Sequence, residues 1–529
     1  MNDEGEFRPA VSVPQKPEKP TDVSENHRRS VRSGHEGHFA TGHLLTGLKG
    51  RTISSGVVTA VAQGIQLVLN FGSIVILARL LTPQDFGLVA MVATIMGFLR
   101  IFNEAGLSTA TVQREEITHA QVSNLFWTNV GLGSVISFVL AALAPAIAWF
   151  YREPRLLSVT VALCGTFILT GSTVQHLALL KRQMRFTMIA VIQVGSAAAG
   201  VLVGIVMAWR QYGYWSLVGM QLTTPFVAFV LTWWVSSWRP QRPKRGSGTR
   251  SMLNFGANLT ASGFLWSLAR GSDGLLIGRF YGSAALGIYS RAGALLTRPI
   301  DQAMAPLEAV FVPTLSRLQS QPERYRRIAL QAYETVAVAS FLFTGLLLAV
   351  AHPLTLVVLG PKWAEAAPIF AGFTLVAMYT PLGSVAGWLL SSQGRGQDFL
   401  RLSVICSSVT LAAFLVSLPF GPVAVAIAYS VSCLLISLPV SYHIAGRVGP
   451  VTTWDLWRLF FVHSPLWAVV CGATWLSLQL VSNASPLKQL SVCIPAGLLA
   501  GAIFIALYSP SRRTVMNLLS ALRELKQAR

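Results

Sequence analysis

The chain is 529 residues long, 53% hydrophobic and only 12% charged, with a mean hydropathy of +0.55. Apolar stretches long enough to span a hydrocarbon core recur along most of it, which excludes a soluble globular protein and makes it a polytopic integral membrane protein. The net charge of +20 would suggest nucleic acid in a soluble chain, but here the basic residues sit mostly between apolar stretches, where they report topology, and no nucleic acid is expected. Five cysteines (164, 406, 433, 471, 493) lie singly inside apolar segments, a reduced, packing use of cysteine with no disulfide framework or metal site.

Residues 1–52 are polar and read as a disordered cytoplasmic arm. Its His27, His35, His38 and His43 lack the regular spacing of metal ligands, so no metal is expected. From Ile53 onward about 14 spans follow, near 53–78, 88–111, 122–150, 156–179, 187–209, 214–237, 252–278, 284–312, 331–358, 364–391, 400–418, 422–445, 460–481 and 489–508. Alternating them places 30 of the 41 Lys and Arg on one side and seven on the other, a bias that puts both termini in the cytoplasm. Trp233, Trp234, Trp238, Trp454 and Trp457 read as interfacial belts, and Arg79 and Arg279 as anchors at the opposite interface. The tail, 511–529, carries Val515, Leu518, Leu519, Leu522 and Leu525 at helical spacing, as suits a helix on the inner leaflet.

One hairpin, Arg270 to Glu308, is apolar yet strongly charged. Arg291, Arg298, Asp301 and Glu308 fall within an arc of about 100° on one helix face. Four charges facing lipid would cost on the order of 10 kcal/mol. They must pair or line a wet cavity.

An internal match appears at an offset of 200 residues: Arg79 meets Arg279, Phe86 meets Leu286, Gly87 meets Gly287 and Leu88 meets Ile288. The copies lie at the tips of spans 1–2 and 7–8, so they enter the membrane from the same side as parallel repeats. The expected fold is all-α, two pseudo-symmetric six-helix lobes (53–250 and 251–447) around a central cavity, plus two C-terminal helices (448–510).

The stretches ARLLTPQDFGLVAM (78–91), GLSTATVQREEIT (106–118), LLKRQMRF (179–186), IGRFYGSAALGIYSRA (277–292) and FVPTLSRLQ (311–319) resemble the bacterial polysaccharide transporters of the multidrug/oligosaccharidyl-lipid/polysaccharide exporter superfamily. The resemblance implies an inner-membrane flippase that moves undecaprenyl-pyrophosphate-linked oligosaccharide units to the periplasmic leaflet, for exopolysaccharide, capsule or O-antigen synthesis. It also implies alternating access around a cationic cavity, and a polysaccharide polymerase and export machinery as partners. The long N-terminal arm departs from the family pattern.

On this reading Arg298, Arg291 and Arg270 are the candidates for the pyrophosphate, because guanidinium stays charged in any environment and forks onto phosphate oxygens. Arg298 ranks first, near mid-span and followed by Pro299. Asp273, Asp301 and Glu308 are candidate ion-coupling carboxylates, for a proton or a sodium ion; neutralising a neighbouring Arg is their plainer role. Arg100 and Glu104, four apart on span 2, are expected to face the same cavity. Gln63, with Gln66 and Asn70, is a candidate for sugar hydrogen bonds. No Walker loop, HExxH or nucleophile elbow occurs, so neither an enzyme nor any cofactor is expected. Two alternatives stand: a cation-coupled multidrug exporter, which calls for an acid-rich lining, and a membrane-embedded glycosyl or acyl transferase, which calls for a sizeable loop or a convergent His/Asp set.

Overall fold

The computed structural model describes residues 48–104, 108, 111–112, 117–244 and 250–527. Residues 1–47 of the arm, its four histidines among them, lie outside these, and residues 48–52 begin the first helix. Every regular element among the described residues is helical. The first half comprises α1 (Leu48–Leu80), α2 (Pro83–Glu104), α3 (His119–Tyr151), α4 (Arg155–Cys164), α5 (Thr166–Arg182), α6 (Phe186–Trp209) and α7 (Trp215–Val235). The second comprises α8 (Arg250–Arg317), α9 (Pro322–Ala349), α10 (Ala351–Val358), α11 (Ala366–Ser392), α12 (Gly396–Ser417), α13 (Pro422–Ser432) and α14 (Leu438–Gly446). A π turn joins α13 to α14. After these come α15 (Thr453–Leu480), α16 (Pro486–Leu507) and α17 (Ser509–Gln527).

Eleven helices among the described residues are long and apolar enough to cross a membrane. The other three expected spans coincide with α2 and the two arms of α8, the segments that carry the charges. Span 4 is broken at Gly165 into α4 and α5. Local chemistry sets several ends. α3 and α15 begin with reciprocal capping boxes, Thr118 with Gln121 and Thr452 with Asp455, each satisfying orphan amides of the first turn.

The 68-residue α8 is a hairpin without a loop: at Gly282 the backbone turns through φ +81°, ψ −176°, and helix resumes at once. Only glycine takes that conformation cheaply. Along the second arm Pro299, Pro306 and Pro313 recur every seven residues, so their missing amide donors fall on one stripe.

The main contact between the halves is α2 against α8. Gly271 and Gly274 of the first arm sit where a Cβ would meet Phe98 and Thr94 of α2 at 2.7 Å, and Gly278 where it would meet Tyr151; small residues let membrane helices approach this closely. At the tips, a Cβ on Gly87 would lie 1.6 Å from the Ser283 carbonyl oxygen, and one on Gly287 1.9 Å from that of Pro83. Gly87 with Gly287 and Pro83 with Ser283 are both 200 apart. The offset found in the sequence is therefore a structural pseudo-twofold.

The apolar cores follow the same plan. At the tip end a single core runs through both halves, from Leu77, Phe86, Leu88 and Val92 to Leu286, Leu296, Trp363 and Phe370. Elsewhere the halves have separate cores, one around Phe126 and Trp238 and another around Tyr333, Trp388 and Tyr442. Among the described residues the bundle is closed at the tips and its cores are separate toward the other end.

Two expectations about surface residues change. Trp238 is buried against His176 and Phe126, and Trp233 donates to the Ser172 carbonyl; Trp457 packs on Tyr442 and Phe461. Only Trp234 and Trp454 of the proposed belts are strongly exposed. The start of α17 is docked rather than lying free on the surface: Ser511 and Thr514 are buried, with Thr514 donating to Glu334 and Ser511 hydrogen-bonded to His463.

Candidate functional site

The charged residues of α2 and α8 sit on and just beyond the shared tip core. Arg291 is half-buried at its edge: its guanidinium lies 4.9 Å over the Phe86 ring, and its Nε is buried with no hydrogen-bond partner. A cation–π contact recovers about 1–2 kcal/mol when desolvated, less than a buried cation costs. Among the described residues Arg291 is thus a guanidinium with no ion pair.

On the face of α8 turned away from Leu296 and Ile300, which belong to the tip core, the helix changes character. Arg298, Asp301 and Glu308 are all exposed, and Arg298 lies within electrostatic reach of Arg291. Among the described residues Arg298 has no ion pair to Asp301 or Asp273. At 1.5 Å per residue it lies about 22 Å from the Ser283 turn, and Arg100 about 26 Å from the matching Pro83. The two exposed cations are at similar depth on symmetry-related helices, α2 and the second arm.

Asp273 is committed locally: it accepts from the Tyr289 hydroxyl at 3.0 Å and from the Gly274 amide at 2.7 Å. Tyr289 stacks edge-on against Phe373, which ties this carboxylate to α11. Gln63 is half-buried on α1, whose main neighbour is α6, and no described contact brings it to the arginines. The side chains of Arg270 and Glu104 lie outside those described. The sequence reading missed Phe86 and Tyr289 as partners of Arg291 and Asp273. The offset-200 match had already placed Phe86 at a tip, but its ring contact is across the seam and leaves no trace in spacing.

A bundle of apolar helices in two lobes that meet at one end, with charged residues carried on the helices of the seam, is the architecture of a membrane transporter. Its fold resembles that of lipid II flippase MurJ in an inward closed conformation, with TM-score 0.68 over 86% of this chain and 99% of that one at 11% identity. It also resembles an inward-facing multidrug resistance MATE family transporter, with TM-score 0.53 over 76% and 98% at 14% identity. Residues 76–368, more than half of the chain, match the family described as Polysaccharide biosynthesis protein, and the chain belongs to that family. It is 24% identical over 393 residues to the lipopolysaccharide biosynthesis protein WzxC of Escherichia coli (strain K12), 74% of this chain and 79% of that protein. It is 26% identical over 338 residues to the succinoglycan biosynthesis transport protein ExoT of Rhizobium meliloti (strain 1021), 62% and 66% respectively.

Proposed function

We propose that this protein is a flippase that carries polyprenyl-pyrophosphate-linked oligosaccharide repeat units from the cytoplasmic to the periplasmic leaflet by alternating access. The observation that carries this reading is Arg291, a partly buried guanidinium with no ion pair among the described residues, two turns from the exposed Arg298. An ammonium-binding exporter would place carboxylates there. A diphosphate supplies the missing negative charge and engages both forks. Family membership and relatives named for polysaccharide biosynthesis and transport support the substrate class.

In this scheme the lobes are residues 53–250 and 251–447, with 448–510 packed outside and the tail, 511–529, at the inner face. The basic bias of one set of loops supports cytoplasmic termini, so the closed tips face the periplasm. Asp273, Asp301, Glu308 and Glu104 are the carboxylates through which a proton or sodium gradient would act. A polymerase and export machinery would take the product.

The test is translocation of a short-chain polyprenyl-pyrophosphate oligosaccharide in proteoliposomes under a proton or sodium gradient. The intact protein should move it and Arg298→Ala should not. Expulsion of a cationic dye with no movement of the lipid-linked sugar would establish the exporter reading instead.

A further inference from the structure

At the tip end, a cavity of about 320 Å³ lies between the halves, lined by Arg79 from α1, by Leu356 from α10 and by Leu359, Pro361 and Lys362 from the α10–α11 connection. No residue of the candidate substrate site lines it, and neither does any carboxylate. Arg79 donates to the Val357 carbonyl at 2.9 Å, Lys362 is exposed, and among the described residues neither makes an ion pair. The cavity therefore offers two cations against an apolar wall.

Its depth is that of a lipid headgroup. Trp149, Trp209, Tyr212, Phe280 and Phe420 are strongly exposed at helix ends, and those ends are tied to one another at the tips. Arg279 lies over the Phe150 ring at 5.8 Å, Tyr281 donates to the Leu418 carbonyl at 2.5 Å, and Asp85 abuts the turn at Gly213. Aromatic side chains collect where hydrocarbon gives way to headgroups. Trp363, fully buried, fixes one wall: its indole donates at 2.9 Å to the carbonyl of Ala78, which lines the cavity.

We propose that this cavity binds the phosphate of an anionic phospholipid, with the phosphodiester between Arg79 and Lys362 and an acyl chain along Leu356, Leu359 and Pro361. Arg79 belongs to one half and Lys362 to the other. A ligand held by both favours the state in which the halves meet here, and by linkage it keeps the tips closed. Free phosphate shares the headgroup's charge but has nothing for the apolar wall.

The test uses the full-length protein in neutral detergent, without any transport reaction. Titration with phosphatidylglycerol, phosphatidylcholine or inorganic phosphate is followed by native mass spectrometry and by hydrogen exchange in the peptides covering 78–83 and 357–363. Phosphatidylglycerol should bind and slow exchange in both peptides. Lys362→Gln, a change at an exposed side chain, should weaken binding about fivefold, as expected for one surface cation. Full protection by inorganic phosphate alone would show that the site takes a free anion and overturn the lipid assignment. Equal protection by phosphatidylcholine, or an affinity unchanged in Lys362→Gln, would overturn the site itself.

Discussion

Gly87 and Ser283 are in backbone contact across the two halves, and Gly287 and Pro83 repeat that contact with the partners exchanged. A methyl group at either glycine would have to displace a carbonyl rather than a side chain. Gly87→Ala and Gly287→Ala should each lower thermal stability by about 1–3 kcal/mol, the cost of overpacking. Alkylation of a cysteine placed at Ser283 should quicken in both. Unchanged melting with unchanged labelling would mean that the seam yields freely.

Arg291 carries an opposite expectation. Because its guanidinium is partly buried and, among the described residues, meets the Phe86 face and no carboxylate, Arg291→Met should raise stability by about 1–4 kcal/mol, as when buried charges are replaced by apolar groups. The same variant should lose translocation. A destabilised Arg291→Met would show that the arginine is structural, and melting curves beside a flipping assay separate the two.

Arg395 and Arg401 share the Asp398 carboxylate but differ in setting. Arg395 is 12% exposed in its side chain and also donates to the carbonyls of Ile444, Ala445 and Val448, pinning the start of α12 to the end of α14; Arg401 is 63% exposed, with its nitrogen 3.6 Å from Asp398. Arg395→Ala should cost about 2–4 kcal/mol, since several carbonyls lose a charged donor. Arg401→Ala should cost less than about 0.5 kcal/mol. Equal costs by thermal melting would contradict this division.

Glu153, in the turn between α3 and α4, is gripped by both forks of Arg155 at 2.8 and 2.9 Å, and that guanidinium holds its carboxyl below the ordinary 4.5. A lowered folded pKa means the pair stabilises fully above the ordinary value and loses its contribution as pH falls through the lowered one. Arg155 is 42% exposed, so screening keeps the contribution below about 1 kcal/mol. Glu153→Gln should melt slightly lower than wild type at neutral pH and level with it in acid. A gap that persists in acid would assign the effect to something other than charge.

Much of this architecture can be read from residue order alone. Gly87 and Gly287 announce the repeat because the close tip contact requires them in both copies, and Arg298 stands out because a charge at mid-span is costly wherever it falls. Pairings between distant helices leave no such mark. Trp238 reads as an interfacial tryptophan by its place at a helix end, and only the fold brings His176 and Phe126 around it. Phe86 beneath Arg291 depends on the angle at which α2 crosses α8, and Tyr289 on Asp273 on the angle between the two arms of α8 at Gly282, neither of which periodicity encodes.

The bend at Gly282 has a mechanical meaning. With no loop to absorb motion, the second arm of α8 turns as a rod about one residue, and Arg298 lies about 24 Å along it. A swing of about 10° there would carry the guanidinium roughly 4 Å, enough to make or break its grip on a phosphate. The tip is thus a fulcrum, and a change of backbone torsion too small to disturb the helix can be read out at mid-membrane as capture or release.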